Sequence, residues 1–213
     1  MELTTPETRV LGCLLEKELA TPNAYPLTLN ALLAAANQTS NRDPVVAYDE
    51  AEVVEALSGL RQKGAARVLL GSGHRAEKYR HTLEDVWGLD EQHRAVLAVL
   101  MLRGPQTVGE LRQRTERLAR FDSLAEVEQV LRLLANREDP LARRLGRGPG
   151  QKEARWVELF SGESAALEAA ARTESDSPEE PRQKSAIDAL REEVQALREE
   201  VDALRQQLED LLH

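Results

Sequence analysis

Two stretches 74 positions apart, AEVVEALSGL at 51–60 and AEVEQVLRLL at 125–134, carry the same apolar spacing. Val53 aligns with Val127, Leu57 with Leu131 and Leu60 with Leu134, the period of one helical face. Each stretch follows a capping residue, Asp49 or Ser123, and each leads into two short β-forming runs around a glycine-rich tip. In the first copy Gly64 ends the helix, and ARVLL and KYRHTL flank GSGHRAE. In the second, LARRLG and ARWVELF flank RGPGQKE. A helix feeding a hairpin, given twice, restricts the chain to folds built from two copies of one small unit.

The remainder of each copy supplies two more helices. Pro6–Leu19, capped by Thr4 or Thr5, has the stripe Val10, Leu11, Leu14 and Leu15. Leu27–Ala36 turns Leu29, Leu32 and Leu33 inward, and the third helix, from Asp49, adds Val54 to its stripe. In the second copy the helices are Glu91–Arg103 (Val96, Leu97, Val99, Leu100), Thr107–Leu118 (Val108, Leu111) and Leu124–Asn136 (Leu124, Val127, Val130, Leu131, Leu134). Arg9–Val10–Leu11 matches Arg94–Ala95–Val96 at offset 85, and Thr28–Leu29 matches Thr107–Val108 at offset 79. The offset shrinks because the first copy has longer loops. Helix–helix–helix–hairpin, twice, is the outline of tandem winged helices. The expected fold is mainly α with small β-hairpins (α+β): winged-helix domains at 1–86 and 87–161, joined at EDVWGLDE.

Beyond them, 162–184 reads as an acidic flexible linker, being proline-containing and poor in apolar residues. From 185 to 213 the spacing becomes heptad. Ile187, Val194, Val201 and Leu208 hold one core position, and Leu190, Leu197, Leu204 and Leu211 the other. Mostly β-branched residues at a with leucine at d favour a parallel two-stranded coiled coil. Glu193 and Glu200 stand where they would meet Arg198 and Arg205 of a second strand, so a parallel homodimer is expected.

Hydrophobic residues make up 41% of the chain and aromatics only 3%, so the cores must be leucine, valine and alanine. A single cysteine, Cys13, excludes an internal disulfide and fits a reducing compartment. No apolar stretch has the length of a membrane span, which reads as a cytoplasmic protein with no membrane partner. The net charge of −9 is unevenly spread. Residues 1–87 carry 9 basic and 12 acidic side chains, 88–162 carry 13 and 11, and 163–213 carry 6 and 14. Acidity sits in the tail, and only the local field at a docking surface bears on nucleic acid.

Winged helices most often place the third helix in the DNA major groove and the hairpin on phosphates. The first copy's outward face, read as Glu52, Glu55, Gly59 and Gln62, sets two carboxylates against phosphate. The second presents Gln129, Arg132, Leu133 and Asn136, three of them shaped for base edges. Its hairpin adds Arg143, Arg144, Arg147, Lys152 and Arg155, and its second helix Arg112, Arg114, Arg117 and Arg120. DNA is therefore the expected partner, through the second domain, in a dimeric transcriptional regulator. The competing reading is a protein–protein module, which exposed Leu133 and the acidic first face suit. An enzyme is not expected. His74, His81, His93 and His213 lack metal-ligand spacing, Cys13 lies among apolar residues, and neither glycine-rich tip has a phosphate-loop context, so no cofactor is expected. Trp87 and Trp156 read as fillers of the joint and the second core.

The opening TPETRVLGCLLEKELATPNAYPLTLNALLAAANQTSNRDPV, with KYRHTL further on, resembles the YceH-like family of uncharacterised bacterial proteins over roughly residues 1–160. LLEKE, YPLTLN and NQTSNRDPV are its most specific stretches. The resemblance implies tandem winged helices, in agreement with the repeat, and brings no activity with it. It draws attention to the polar loop Asn37, Gln38, Thr39, Ser40, Asn41, Arg42, Asp43 and Pro44. That residue set is able to hold a ligand, although polar side chains satisfying backbone groups explain it more simply.

Overall fold

A computed structural model describes residues 1–69, 77–147 and 153–162. Helix α1 (Thr5–Ala20) opens with a capping box: the Thr4 hydroxyl accepts from the Glu7 N–H, and the Glu7 carboxylate accepts from the Thr4 N–H. A 3-10 turn at Pro22–Ala24 and a two-residue strand, β1 (Leu27–Thr28), lead to α2 (Leu29–Ala36), capped by Thr28. A second capping box, from Asp49 and Glu52, starts α3 (Glu50–Gln62). Strands β2 (Ala66–Leu69) and β3 (Lys78–His81) then pair antiparallel, and β1 pairs with the other edge of β3, giving the order β1-β3-β2. The result is mainly helical with small antiparallel sheets.

The same succession returns. A short helix, α4 (Leu83–Trp87), ends at Gly88 with φ 61°, a left-handed value that glycine adopts without strain. Then come α5 (Glu91–Arg103), α6 (Val108–Arg114), α7 (Leu124–Ala135) and the hairpin β4 (Ala142–Arg144) with β5 (Trp156–Glu158). Gln106, just before α6, exchanges backbone hydrogen bonds with Trp156 of β5 at 3.0 and 2.7 Å. This bridge repeats, in reduced form, the pairing of Leu27 with Tyr79. Both copies are thus helix, strand or bridge, helix, helix, hairpin.

Four local expectations change, the first being the helix expected over Thr107–Leu118: α6 ends at Arg114, capped by Thr115, so Arg117 and Arg120 lie beyond it. Val54 and Leu124 are 45% and 49% exposed, so neither belongs to its stripe. Val54 lies past the edge of the face made by Val53, Ala56, Leu57 and Leu60, and Leu124 is the first residue of α7, ahead of the core. Gly59 does not face outward: it packs on α1, where a Cβ would run into the Glu7 carboxylate. The joint EDVWGLDE carries all of α4 but its first residue, Leu83; Leu83 and Leu89 are buried and Trp87 packs on Phe160 at 5.3 Å.

Helices α1 and α5 hold the copies together. Gly12 lies against Met101 and Leu102, while Glu18 near the other end of α1 meets Arg94 at the start of α5, so the pair runs antiparallel. Leu14 and its counterpart Val99 lie between those two contacts along their helices. Leu11, Leu14, Leu15, Leu97 and Leu100 are at most 1% exposed, and the buried apolar cluster runs through both copies. Each such leucine contributes roughly 1.5–3 kcal/mol relative to remaining in water.

Candidate nucleic-acid interface

Helix α7 buries Val127, Val130, Leu131 and Leu134, which leaves Ala125, Gln129, Arg132 and Asn136 in one exposed row. Arg132 is held one turn back by Glu128, Nη2 to Oε1 at 2.9 Å. Asn136 is the helix C-cap, its backbone N–H donating to the Arg132 carbonyl. Leu133, beside the row, is 52% exposed. The hairpin follows directly, tied to the helix by the Leu141 N–H on the Leu134 carbonyl at 3.0 Å. Arg143 and Arg144 on β4, and Arg147 just beyond, are exposed. Arg155 is different. Its guanidinium grips Glu110 in the first turn of α6 (2.9 and 3.4 Å) and the Pro105 carbonyl (2.8 Å), so it fastens the hairpin to the body. To touch a phosphate it would have to leave Glu110. Lys152 lies outside the described residues, as do all eight heptad-core positions between Ile187 and Leu211 and the linker from residue 163.

On α6 and its following turn, Arg112 and Arg117 are exposed, Arg114 stands 4.0 Å from Glu110, and Arg120 pairs with Asp122 at 2.8 Å. In the first copy the row equivalent to Ala125, Gln129, Arg132 and Asn136 is Ala51, Glu55, Ser58 and Gln62, all exposed. Glu52 is consumed by its capping box. The two rows share a position and differ in chemistry: one acid and no base in the first, one base and two carboxamides in the second.

The motif loop does a different job. Arg42 is buried, and its guanidinium meets Glu16 of α1 with both terminal nitrogens, at 2.9 and 2.6 Å. It also donates to the Ala35 carbonyl at the end of α2 through Nε and Nη2. Gln38 takes a hydrogen bond from Lys17 at 3.3 Å, and Asn37 clasps the backbone of Tyr48 through both carboxamide atoms at 2.7 Å each. Asp43 donates its N–H to the Leu102 carbonyl of α5, and the Pro44 carbonyl accepts from Arg9. Thr39 and Ser40 stay at the surface or half-buried. The loop therefore fastens α1, α2 and α5 to one another.

A second network lies further along α1. His81 Nε2 donates to Glu18 at 2.6 Å, because Nδ1 already accepts from the Leu83 N–H at 3.2 Å. The Tyr25 hydroxyl accepts from the His81 N–H at 2.9 Å. Arg94 brings its Nε to 3.4 Å from Glu18 and its Nη1 to 2.8 Å from Glu84. Glu16 and Glu18 come from LLEKE, Tyr25 from YPLTLN, Arg42 from NQTSNRDPV and His81 from KYRHTL. Sequence reasoning missed this convergence. The available signal was two glutamates, Glu16 and Glu18, placed next to the apolar Leu14 and Leu15 in a helix that must be buried.

Burial pushes the carboxyls of Glu7, Glu16 and Glu18 up, but their partners outweigh it and leave all three below the usual range. The partners are Lys63 and Thr4 for Glu7, Arg42 for Glu16, and His81 with Arg94 for Glu18. Glu158 goes the other way: burial raises it despite hydrogen bonds from Ser161 and the Phe160 N–H. A depressed folded-state pKa means the unfolded chain binds more protons, so this stability is present above the unfolded value of about 4.3 and lost as pH falls. Urea midpoints should therefore drop steeply as pH falls below about 4.5. Glu158 contributes with the opposite sign and should not reverse the trend. A midpoint unchanged at pH 3.5 would count against these pairs.

Residues 3–151 match the family model described as "Protein of unknown function, DUF480". A "UPF0502 protein" of Geobacter metallireducens is 59% identical over 160 residues, covering 75% of this chain and 73% of the relative. The chain belongs to this family. Another member, from Geotalea uraniireducens, is 53% identical over 199 residues, or 91% of this chain and 89% of its own. One from Mesorhizobium japonicum is 45% identical across 90% and 91%. The family match takes in every motif stretch of the first copy and the α7 row of the second. The two longer alignments must also enter the segment after residue 162. No described helix is long and apolar enough to cross a membrane.

Proposed function

We propose that this DUF480 protein is a tandem winged-helix, DNA-binding protein of the cytoplasm that acts in transcriptional regulation and is not an enzyme. The second copy makes the main contact, and residues 185–213 pair two copies as a parallel coiled coil. The observation that carries this reading is the exposed Gln129–Arg132–Asn136 row of α7 followed by Arg143, Arg144 and Arg147 on its hairpin. In a major groove, carboxamides suit adenine and a guanidinium suits guanine, while hairpin arginines neutralise the flanking backbone. The repeated element order supports the winged-helix assignment. A gel-shift series of intact protein against genomic fragments, run from 50 to 200 mM salt, tests it. Retention that weakens steeply with salt is expected, and no retention at the lowest salt would end the proposal.

A protein-contact role belongs to the first copy. Val54, 45% exposed beside Glu55, makes the α3 face partly apolar and acidic, which suits a protein better than a phosphate backbone. Nuclease treatment before a pull-down separates the readings: a stoichiometric partner that survives it supports the protein contact. For the pairing segment, light scattering should find two copies for the full chain and one for a chain ending at residue 184. The same number of copies in both would rule out pairing through the coiled coil.

A further inference from the structure

Glu128 and Arg132 sit one helical turn apart on the exposed side of α7, joined at 2.9 Å, with side chains 38% and 66% exposed. The fold has little use for this pair, since exposed pairs at this spacing stabilise a helix only marginally. The corresponding positions of the first copy are Val54 and Ser58, so the pair is peculiar to the copy that carries the basic row. A carboxylate there is a cost to any surface that only attracts phosphate.

Its geometry suggests a use. The bond to Glu128 occupies one N–H of the Arg132 fork and restrains the guanidinium plane, leaving other N–H groups for a planar pair of acceptors. Guanine presents such a pair, O6 and N7, on its major-groove edge. The second oxygen of Glu128 stays available as an acceptor, and cytosine N4 is the donor that meets it in that groove. The negative charge meanwhile discourages Arg132 from resting on backbone phosphate, which makes the contact depend on sequence.

We propose that Glu128 and Arg132 form one reading unit that selects a G·C base pair in duplex DNA; this rests on the reading of α7 as the helix that enters the groove. The test is selection from a random duplex library by the intact chain, alongside Glu128→Gln, Glu128→Val and Arg132→Ser, the last two placing first-copy residues in the second. Wild type should enrich a motif with a fixed G·C pair. Arg132→Ser should lower preference at that position roughly 5- to 150-fold. Glu128→Gln and Glu128→Val should tighten binding to unrelated duplex and reduce the ratio of motif to unrelated affinity. Urea midpoints within about 0.3 M of wild type would show that the fold is intact. A motif unaltered by all three substitutions overturns the proposal, as does duplex retention by wild type with no motif enriched, which would leave DNA binding standing. Failure of wild type to retain any duplex removes both.

Discussion

Arg42→Ala should cost about 3–5 kcal/mol of folding stability, seen as a drop of about 2 M in the urea midpoint. The reason is what the substitution leaves behind. Glu16 would keep its charge in a closed setting with both of its 2.6–2.9 Å contacts gone, and the Ala35 carbonyl would lose both of its guanidinium donors. Removing one partner of a buried pair is far more damaging than removing both, so Arg42→Met with Glu16→Leu should recover part of the loss. Arg132→Ala, on an exposed pair, should stay within about 0.5 kcal/mol of wild type. If Arg42→Ala and Arg132→Ala prove equally mild, the motif loop does not fasten α1 to α2.

Changing Arg143, Arg144 and Arg147 together to glutamine should lower the slope of log affinity against log salt by about 3. Each exposed arginine that meets a phosphate displaces about one counterion, and none of the three is buried. Arg155→Gln should behave in the opposite way. It releases Glu110 and the Pro105 carbonyl, so it should destabilise the hairpin by about 1–3 kcal/mol with a smaller effect on the salt slope. The measurement is fluorescence anisotropy with one fragment across a salt series. An unchanged slope in the triple variant would remove the β4 hairpin from the interface.

The helices were legible because their starts are written in local chemistry. Thr4, Asp49 and Ser123 each precede an apolar stripe, and each caps the helix expected from it. The hairpins were legible from β-forming runs about a glycine tip, and the recurrence at offset 74 carried over to α3 and α7. Strand β1 was not, since two residues, Leu27 and Thr28, make a strand only because β3 lies alongside. Nor was α4, whose five residues depend on the packing of Leu83 beneath them. The largest omission was the polar interior. Arg42, Glu16, Glu18 and His81 look like surface residues one at a time. Only the tertiary arrangement brings Glu16 to Arg42 and Glu18 to His81, across 26 and 63 positions of chain. At the interface the stripes were displaced in detail, as Gly59 and Val54 show, while Gln129, Arg132 and Asn136 emerged where the period put them.

The most direct test places a photo-crosslinking residue either at Gln129 or at its counterpart Glu55 in the otherwise intact chain, bound to duplex DNA and irradiated. Strong crosslinking to DNA is expected from position 129 and little from 55. Equal yields from both, or capture from 55 alone, would show that α7 of the second copy is not the main DNA contact.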